Sequence, residues 1–501
     1  MKIEIKFTTF YKLNEEEKSN ITARCQESII PIKTDTGNTV VSLKKTTDKP
    51  LKSKNKKYQK FKVAGISLIT ILLFAISLKM NFAPKKTDLK ATNNDDNNII
   101  MDIEIENDNA ENTTELKISD ISMGHAHSMA LTEDGTLFTW GCNRNGQLGD
   151  GKKENKSKPE KIFENVLSIN ASTHNSSLLT LDKDLYIWGE NQYGQVGNEK
   201  ITDCYTPVEI FTNIGSVAFS SESTASVDNN GTLCLWGNNG QGQLGNNTVD
   251  NKNKPEKILE DITYTCLDKY NSGAITTDGS LYLWGDNSAG QIGDNTNIDK
   301  HKPVKVLESV VMFDVRTRNV AAVTKDGTLY VWGDNYFGQI GDGTRTTKKQ
   351  PVKIMDKVAY AELGYNYSVA VTVDGELYSW GCNSDGQLGD GTITDQYKPV
   401  KILEDVASVE LGNNCCAAVT KQGDLYTWGK NQYGQLGNGT TDNILSPQKI
   451  INHIKMVSVG GYHMAAITEK GSLYTWGLNY YGQLGDGTTT NRLTPTKIII
   501  Q

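Results

Sequence analysis

The chain has 501 residues, 22% of them charged, with 52 basic and 59 acidic side chains and a formal net charge of −7. The charge is unevenly spread: residues 1–62 carry a net +8, 63–116 a net −5 and the rest a net −10. The net −10 of the bulk of the chain argues against nucleic acid as a partner, since phosphate neutralisation requires a basic face.

Residues 1–62 hold nine lysines and one aspartate between Lys44 and Lys62. Thr39–Leu43 alternates as a strand would, but the segment is too short to bury a core. Its lysines either bind anionic lipid headgroups or simply enforce topology, and the second reading is preferred. Val63–Leu78 then runs sixteen residues without a charge, prolonged by Lys79-Met80-Asn81-Phe82, whose one lysine can snorkel. Residues 63–82 are expected to form a transmembrane signal-anchor helix. A buried core helix would need a neighbouring domain to cover it, and a cleaved signal peptide would need a small-x-small site after the apolar run. The positive-inside rule places the N-terminus in the cytoplasm and the rest of the chain outside. Residues 83–116, rich in Asn, Asp and Glu, read as a disordered, self-repelling tether.

From 117 to 501 the chain is periodic. All eight tryptophans, Trp140, Trp188, Trp236, Trp284, Trp332, Trp380, Trp428 and Trp476, fall 48 residues apart. Each opens the pattern W-G-x-N-x-x-G-Q-x-G, as in Trp140 to Gly149, and each is followed nineteen residues later by a proline, from Pro159 to Pro495. A glycine precedes the tryptophan by five residues in every copy but one, where Lys183 stands. A repeat of this length marks a solenoid, propeller or array. In the eighth copy, apolar alternation predicts strands over Lys455–Val459, Met464–Thr468, Ser472–Trp476 and Thr496–Ile500. The last begins just after Pro495, where proline costs no ladder bond. The x-D-G-x turns, such as Glu133-Asp134-Gly135-Thr136, are hairpin signals. Four short strands per copy without a helical period predict an all-β propeller, with the tryptophans filling the space between blades. Eight blades closed in one ring are favoured over a seven-bladed ring with a leftover unit.

The W-G-x-N-x-x-G-Q-L-G block, preceded by A-x-T-x-D-G-x-L-Y and followed by the proline, resembles the repeat of the regulator of chromosome condensation (RCC1) family of β-propellers. The resemblance covers about 117–501. It implies the propeller fold, with seven blades the usual number, and leaves the activity open. The family includes a nuclear exchange factor for a small GTPase, a plant UV-B photoreceptor and a secreted bacterial β-lactamase inhibitor. An inserted wedge, as in the exchange factor, would break the 48-residue series, and the photoreceptor needs clustered tryptophans that this chain lacks outside the repeat. With abundant Lys, Asn and Ile beside the anchor, the expected protein is a membrane-anchored, bacterial-type member.

No nucleophile–base pattern stands out from the repeat, so the chain reads as non-enzymatic and without a cofactor. The recurring hairpin aspartates fit turn chemistry better than calcium binding. The cysteines show neither a disulfide framework nor metal spacing and read as small buried hydrophobes. Thirteen residues before the tryptophan, His127 and His463 share a repeat column. Ring closure would bring them near each other and near His125 and His174, a weak alternative metal site against a structural role for the column. The remaining signal is variation beside the constant motif. Tyr193, Tyr336, Phe337, Tyr433, Tyr480 and Tyr481 occupy the two free positions of the turn after the tryptophan, and Tyr365, Tyr367 and Tyr462 lie around the histidine column. Aromatic side chains on a rigid rim are what protein-binding hot spots use. In the family's secreted inhibitor, loops on one propeller face make the contacts, and the resemblance implies the same face here. The expected function is a membrane-anchored, extracytoplasmic protein-binding module, adaptor or inhibitor-like, with an unidentified protein partner. The alternative is a surface glycan or cell-wall binding protein.

Overall fold

The computed structural model describes residues 115–501, together with a two-residue strand pair, Asn93–Asn94 with Asn98–Ile99. The expected segments 1–62 and 63–82, and all of 83–116 except that pair and the last two residues, lie outside the described residues. Among the described residues no helix is long and apolar enough to cross a membrane.

Residues Glu115–Gln501 form one compact unit of eight four-stranded antiparallel sheets. Each repeat makes one blade from strands consecutive in sequence, so no blade borrows a strand from another copy. Blade 1 runs Ile118–Met123, His127–Thr132, Leu137–Gly141 and Lys156–Phe163, and blade 8 runs Ile454–Val459, His463–Thr468, Leu473–Gly477 and Arg492–Ile498. The first strands of adjacent blades pack against one another near the axis, and the fourth strands form the outer rim. Burial follows this order: His127–Thr132 is buried throughout, whereas Lys156–Phe163 alternates between half-buried and exposed.

The ring is closed with eight blades. At every junction the indole N–H of one blade donates to the carbonyl of the motif glutamine in the blade before it, as from Trp188 to Gln147 at 2.9 Å. The same bond runs from Trp140 to Gln483 at 2.9 Å, joining blade 1 to blade 8. One apolar cluster mixes Ile121, Phe138 and Trp140 with Ala465, Leu473 and Ile498, so this seam is built like the others. The core is eight small clusters, each between two blades and each holding one fully buried tryptophan. Trp140 and its equivalents therefore fill the inter-blade space, as expected.

The motif explains itself locally. Buried Asn143 accepts from the Leu148 N–H at 2.9 Å and donates to Asp150 at 2.8 Å, which pins the loop after the tryptophan. Gln147 accepts from the Asn145 N–H at 3.0 Å and closes the turn. Gly149 lies under the next tryptophan, where an added Cβ would come within 2.8 Å of Trp188 Nε1. Lys183, which replaces the hairpin glycine in blade 2, keeps the left-handed backbone at φ 71°. That conformation is costly for a residue with a Cβ.

The proline lies elsewhere than expected. Pro159 is the fourth residue of Lys156–Phe163, and Pro495 the fourth of Arg492–Ile498. Register explains why it is tolerated: Gly141 pairs with Lys156 and Thr139 with Glu160, so the outer strand bulges between them. Proline is compatible with a bulge on an edge strand because no ladder bond is asked of its nitrogen.

Candidate functional site

In a four-stranded meander the connections between strands 1–2 and 3–4 emerge at the same end. The two variable sets of residues lie on these connections and so share one face of the ring. Tyr433, in the 3–4 loop of blade 7, meets Tyr462, in the 1–2 loop of blade 8, at 5.2 Å between ring centroids. Tyr462 in turn meets His125 of blade 1 edge-on at 6.1 Å. An aromatic run therefore crosses three blades. Beside it Tyr480 and Tyr481 pack edge to face at 4.9 Å, and the Arg144 guanidinium lies 5.0 Å from the Tyr481 ring. On blade 5, Tyr336 packs edge-on against Phe337 at 4.8 Å.

Tyr480, Tyr336 and Tyr365 are 68%, 63% and 49% exposed. Tyr193, Phe337, Tyr433, Tyr462 and Tyr481 are half-buried against neighbouring loops. Tyr367 departs from the expectation. It is buried, its hydroxyl donates to the Cys415 carbonyl at 3.3 Å, and the Cys416 thiol points to it at 3.7 Å. It belongs to the strand that carries the histidine column, whose side chains point into the next blade, and it is not part of the exposed face.

A cavity of about 630 Å³ opens on the same face across blades 5 to 8. Phe337, Tyr365 and Tyr462 supply apolar walls, and Asn413, Asn414 and Lys430 supply polar groups. Asn414 donates to Asp385 at 2.8 Å, and Lys430 stands 4.0 Å from the same carboxylate. Aromatic walls with a few polar groups are what binding clefts of this size present.

The four histidines do not converge on a metal. Ser176 Oγ donates to the Gln147 carbonyl at 2.7 Å, so the 2.9 Å contact from His127 Nε2 to Ser176 Oγ must be donated by the imidazole. His463 Nε2 likewise faces Ser128 Oγ at 3.3 Å, and that hydroxyl donates to Gln483. Burial, and then the neighbouring histidines, push both groups down to about 3, so both are neutral. His125 points to the surface, and His174 pairs with Glu190 at 3.2 Å. Among the described residues no group of three or more His, Cys, Asp or Glu side chains is arranged to hold a metal ion. The described cysteines are all unpaired, and Cys142, Cys415 and Cys416 are buried.

Sequence reasoning passed over one column of the first strands. Ser122 accepts from the Ala171 N–H at 2.8 Å, and Asp314 from the Leu363 N–H at 2.8 Å, tying neighbouring inner strands together. Glu362 and Glu410 hold the same position in blades 6 and 7. Burial, reinforced by the Glu410 and Asp314 charges, holds Glu362 well above the usual carboxylate range, and burial pushes Glu410 up to about 7. The signal was available as charge at one repeat position, but only the packing of neighbouring blades places these groups together.

Comparison with known proteins agrees with the architecture. The RCC1-like domain profile matches residues 93–403 and 315–501. Short stretches match curated proteins: a bifunctional serine/threonine-protein kinase/NEDD4-like E3 ubiquitin-protein ligase of Dictyostelium discoideum is 39% identical over 59 residues, 12% of this chain and 3% of that protein. The ultraviolet-B receptor UVR8 of Arabidopsis thaliana is 42% identical over 53 residues, 10% of this chain and 12% of the receptor. This chain thus spans only a small part of these relatives. Among solved structures, Prp20p of Saccharomyces cerevisiae, described with its binding to Gsp1p and histones, superposes with a TM-score of 0.52 at 20% identity, covering 74% of this chain and 88% of Prp20p. Human WBSCR16 gives 0.52 at 21% identity, over 63% and 94% of the two chains. Eight closed copies of the motif and a profile match across the whole ring place this chain in the RCC1-like family of β-propellers.

Proposed function

We propose that this propeller is a non-enzymatic protein-binding module that engages its partner through the face formed by the 1–2 and 3–4 loops. In this reading residues 63–82 anchor it in a membrane, with 1–62 cytoplasmic and the propeller extracytoplasmic. The observation that carries the binding role is the aromatic run Tyr433, Tyr462 and His125, flanked by exposed Tyr480 and the cavity beside Tyr365. Exposed aromatics held by rigid turns give contact area at low entropic cost. Prp20p, a protein of the same fold, binds proteins, which supports the reading without naming a partner for this chain.

One experiment on intact cells tests both the binding and the placement. A membrane-impermeant, amine-reactive cross-linker is added to cells making the full chain or its Tyr480→Ala/Tyr481→Ala variant. The wild-type chain should join a protein partner and the variant should lose it. Cross-linking that occurs only after lysis would refute the extracytoplasmic placement. Recovery of polysaccharide but no face-dependent protein would replace the protein partner with a glycan.

A further inference from the structure

Arginine is scarce in this chain, six among 52 basic residues. Arg492 is committed to Asp486, with Nε 2.6 Å from the carboxylate. The other four in the described residues, Arg144, Arg316, Arg318 and Arg345, all lie on the loop face. Three of them rest over tyrosines: Arg144 over Tyr481 at 5.0 Å, Arg316 over Tyr365 at 5.3 Å, and Arg345 over Tyr336 at 4.9 Å. Arg144, Arg318 and Arg345 are exposed and Arg316 half-buried. Among the described residues none of the four has a carboxylate within salt-bridge distance, whereas loop-flanking lysines do, such as Lys300 with Asp294 at 2.6 Å and Lys348 with Asp342 at 2.8 Å.

Lysine would serve solubility equally well, so the concentration of arginine on one face needs another reason. A guanidinium resting over a ring is held in place there and can offer a fork of two N–H groups to a carboxylate in bidentate geometry. Arg345 donates its Nε–H to the Tyr336 carbonyl at 2.7 Å, which leaves its two terminal nitrogens. Between these groups lies the cavity walled by Phe337, Tyr365 and Tyr462, with Lys430 at its edge. We infer that this face recognises the carboxylates of an acidic polypeptide segment, with the tyrosine-stacked arginines as anchors and the cavity taking an apolar side chain beside them. The inference rests on the protein-binding reading and adds the chemistry of the partner. A long uniform polyanion fits worse, because the repeats carry a net −10 and would repel whatever lies away from the arginines.

The test measures binding of a random glutamate–tyrosine copolymer to the full chain at an ionic strength of about 0.15 M, with heparin as the comparison polyanion. The variant is Arg144→Lys/Arg316→Lys/Arg345→Lys, which keeps the charge and removes the fork at all three tyrosine-stacked arginines. A second variant, Arg144→Lys/Arg345→Lys, changes only exposed side chains and guards against misfolding. The copolymer should bind the wild-type chain at least about ten-fold more tightly than the triple variant, and more tightly than heparin does. Equal binding by wild type and both variants, or a preference for heparin, overturns the assignment. The two readings fail separately. Loss of any face-dependent protein partner in cells sinks the binding module. Capture of that partner at wild-type level by the triple variant sinks only the carboxylate chemistry.

Discussion

His127 and His463 are wholly buried and neutral, each hydrogen-bonded to a serine of the next blade. Their folded-state pKa of about 3 lies below the ordinary 6.5, so as pH falls below 6.5 the unfolded chain takes up protons that the folded chain refuses. Stability is therefore lost as pH falls from 6.5 towards 3. Glu362 and Glu410 act in the opposite sense. Their folded pKa values lie above the ordinary 4.5, so the stability they lend is present below 4.5 and lost as pH rises through the folded value, about 7 for Glu410. The paired substitution His127→Asn/His463→Asn uses the residue that already fills this column in Asn175, Asn271 and Asn319. It should flatten the acid limb between pH 6.5 and 4.5, read as the urea midpoint against pH. An unchanged acid limb would mean that these imidazoles do not govern it. Other side chains read differently at this scale. Tyr480 and Tyr336 were legible as exposed because the turn after the tryptophan is fixed by its glycines. Tyr367 was not, because its fate depends on the neighbouring blade's Cys415 and Cys416 rather than on its own loop.

Blades are joined through a carbonyl that usually has two donors. The Gln243 carbonyl accepts from Trp284 Nε1 at 2.8 Å and from Ser272 Oγ at 2.7 Å. In blade 5 the serine position is Val320, and the Gln291 carbonyl has Trp332 Nε1, at 2.9 Å, as its described donor. Trp332→Phe should then leave a buried acceptor unpaired, whereas Trp284→Phe should not. The first should cost about 1–3 kcal/mol more than the second, measured by denaturant unfolding. Equal losses would show that packing of the ring, not its N–H, sets the junction strength. The outer strands show a different device. Each is an unpaired edge, and exposed lysines such as Lys158, Lys254 and Lys302 stand directly before the bulged prolines. Charge, proline and a bulge together discourage edge-to-edge pairing.

At the scale of the whole ring, every junction repeats the same tryptophan–glutamine bond, including the seam between blades 8 and 1. A closed ring has no terminal unit to shed, unlike an open solenoid, whose stability is a sum over neighbours. Removing residues 454–501 should therefore do more than subtract one blade. It uncovers the apolar groups around Trp140 and opens a second face on blade 7. The shortened chain should unfold at a clearly lower denaturant midpoint and less cooperatively. An unaltered midpoint would show that closure contributes nothing.

The sequence by itself determined the unit: its length, its four strands, its hairpin turns and the role of its tryptophans. These follow from local periodicity and turn chemistry, which act within a few residues. The structure alone decided that eight units close, that proline lies within a bulged strand, and that Tyr433 meets Tyr462 across a blade boundary. It also decided that scattered arginines gather over tyrosines on one face. Those outcomes depend on the small rotation between neighbouring blades, summed around a ring, and no single repeat encodes that sum in its own residues.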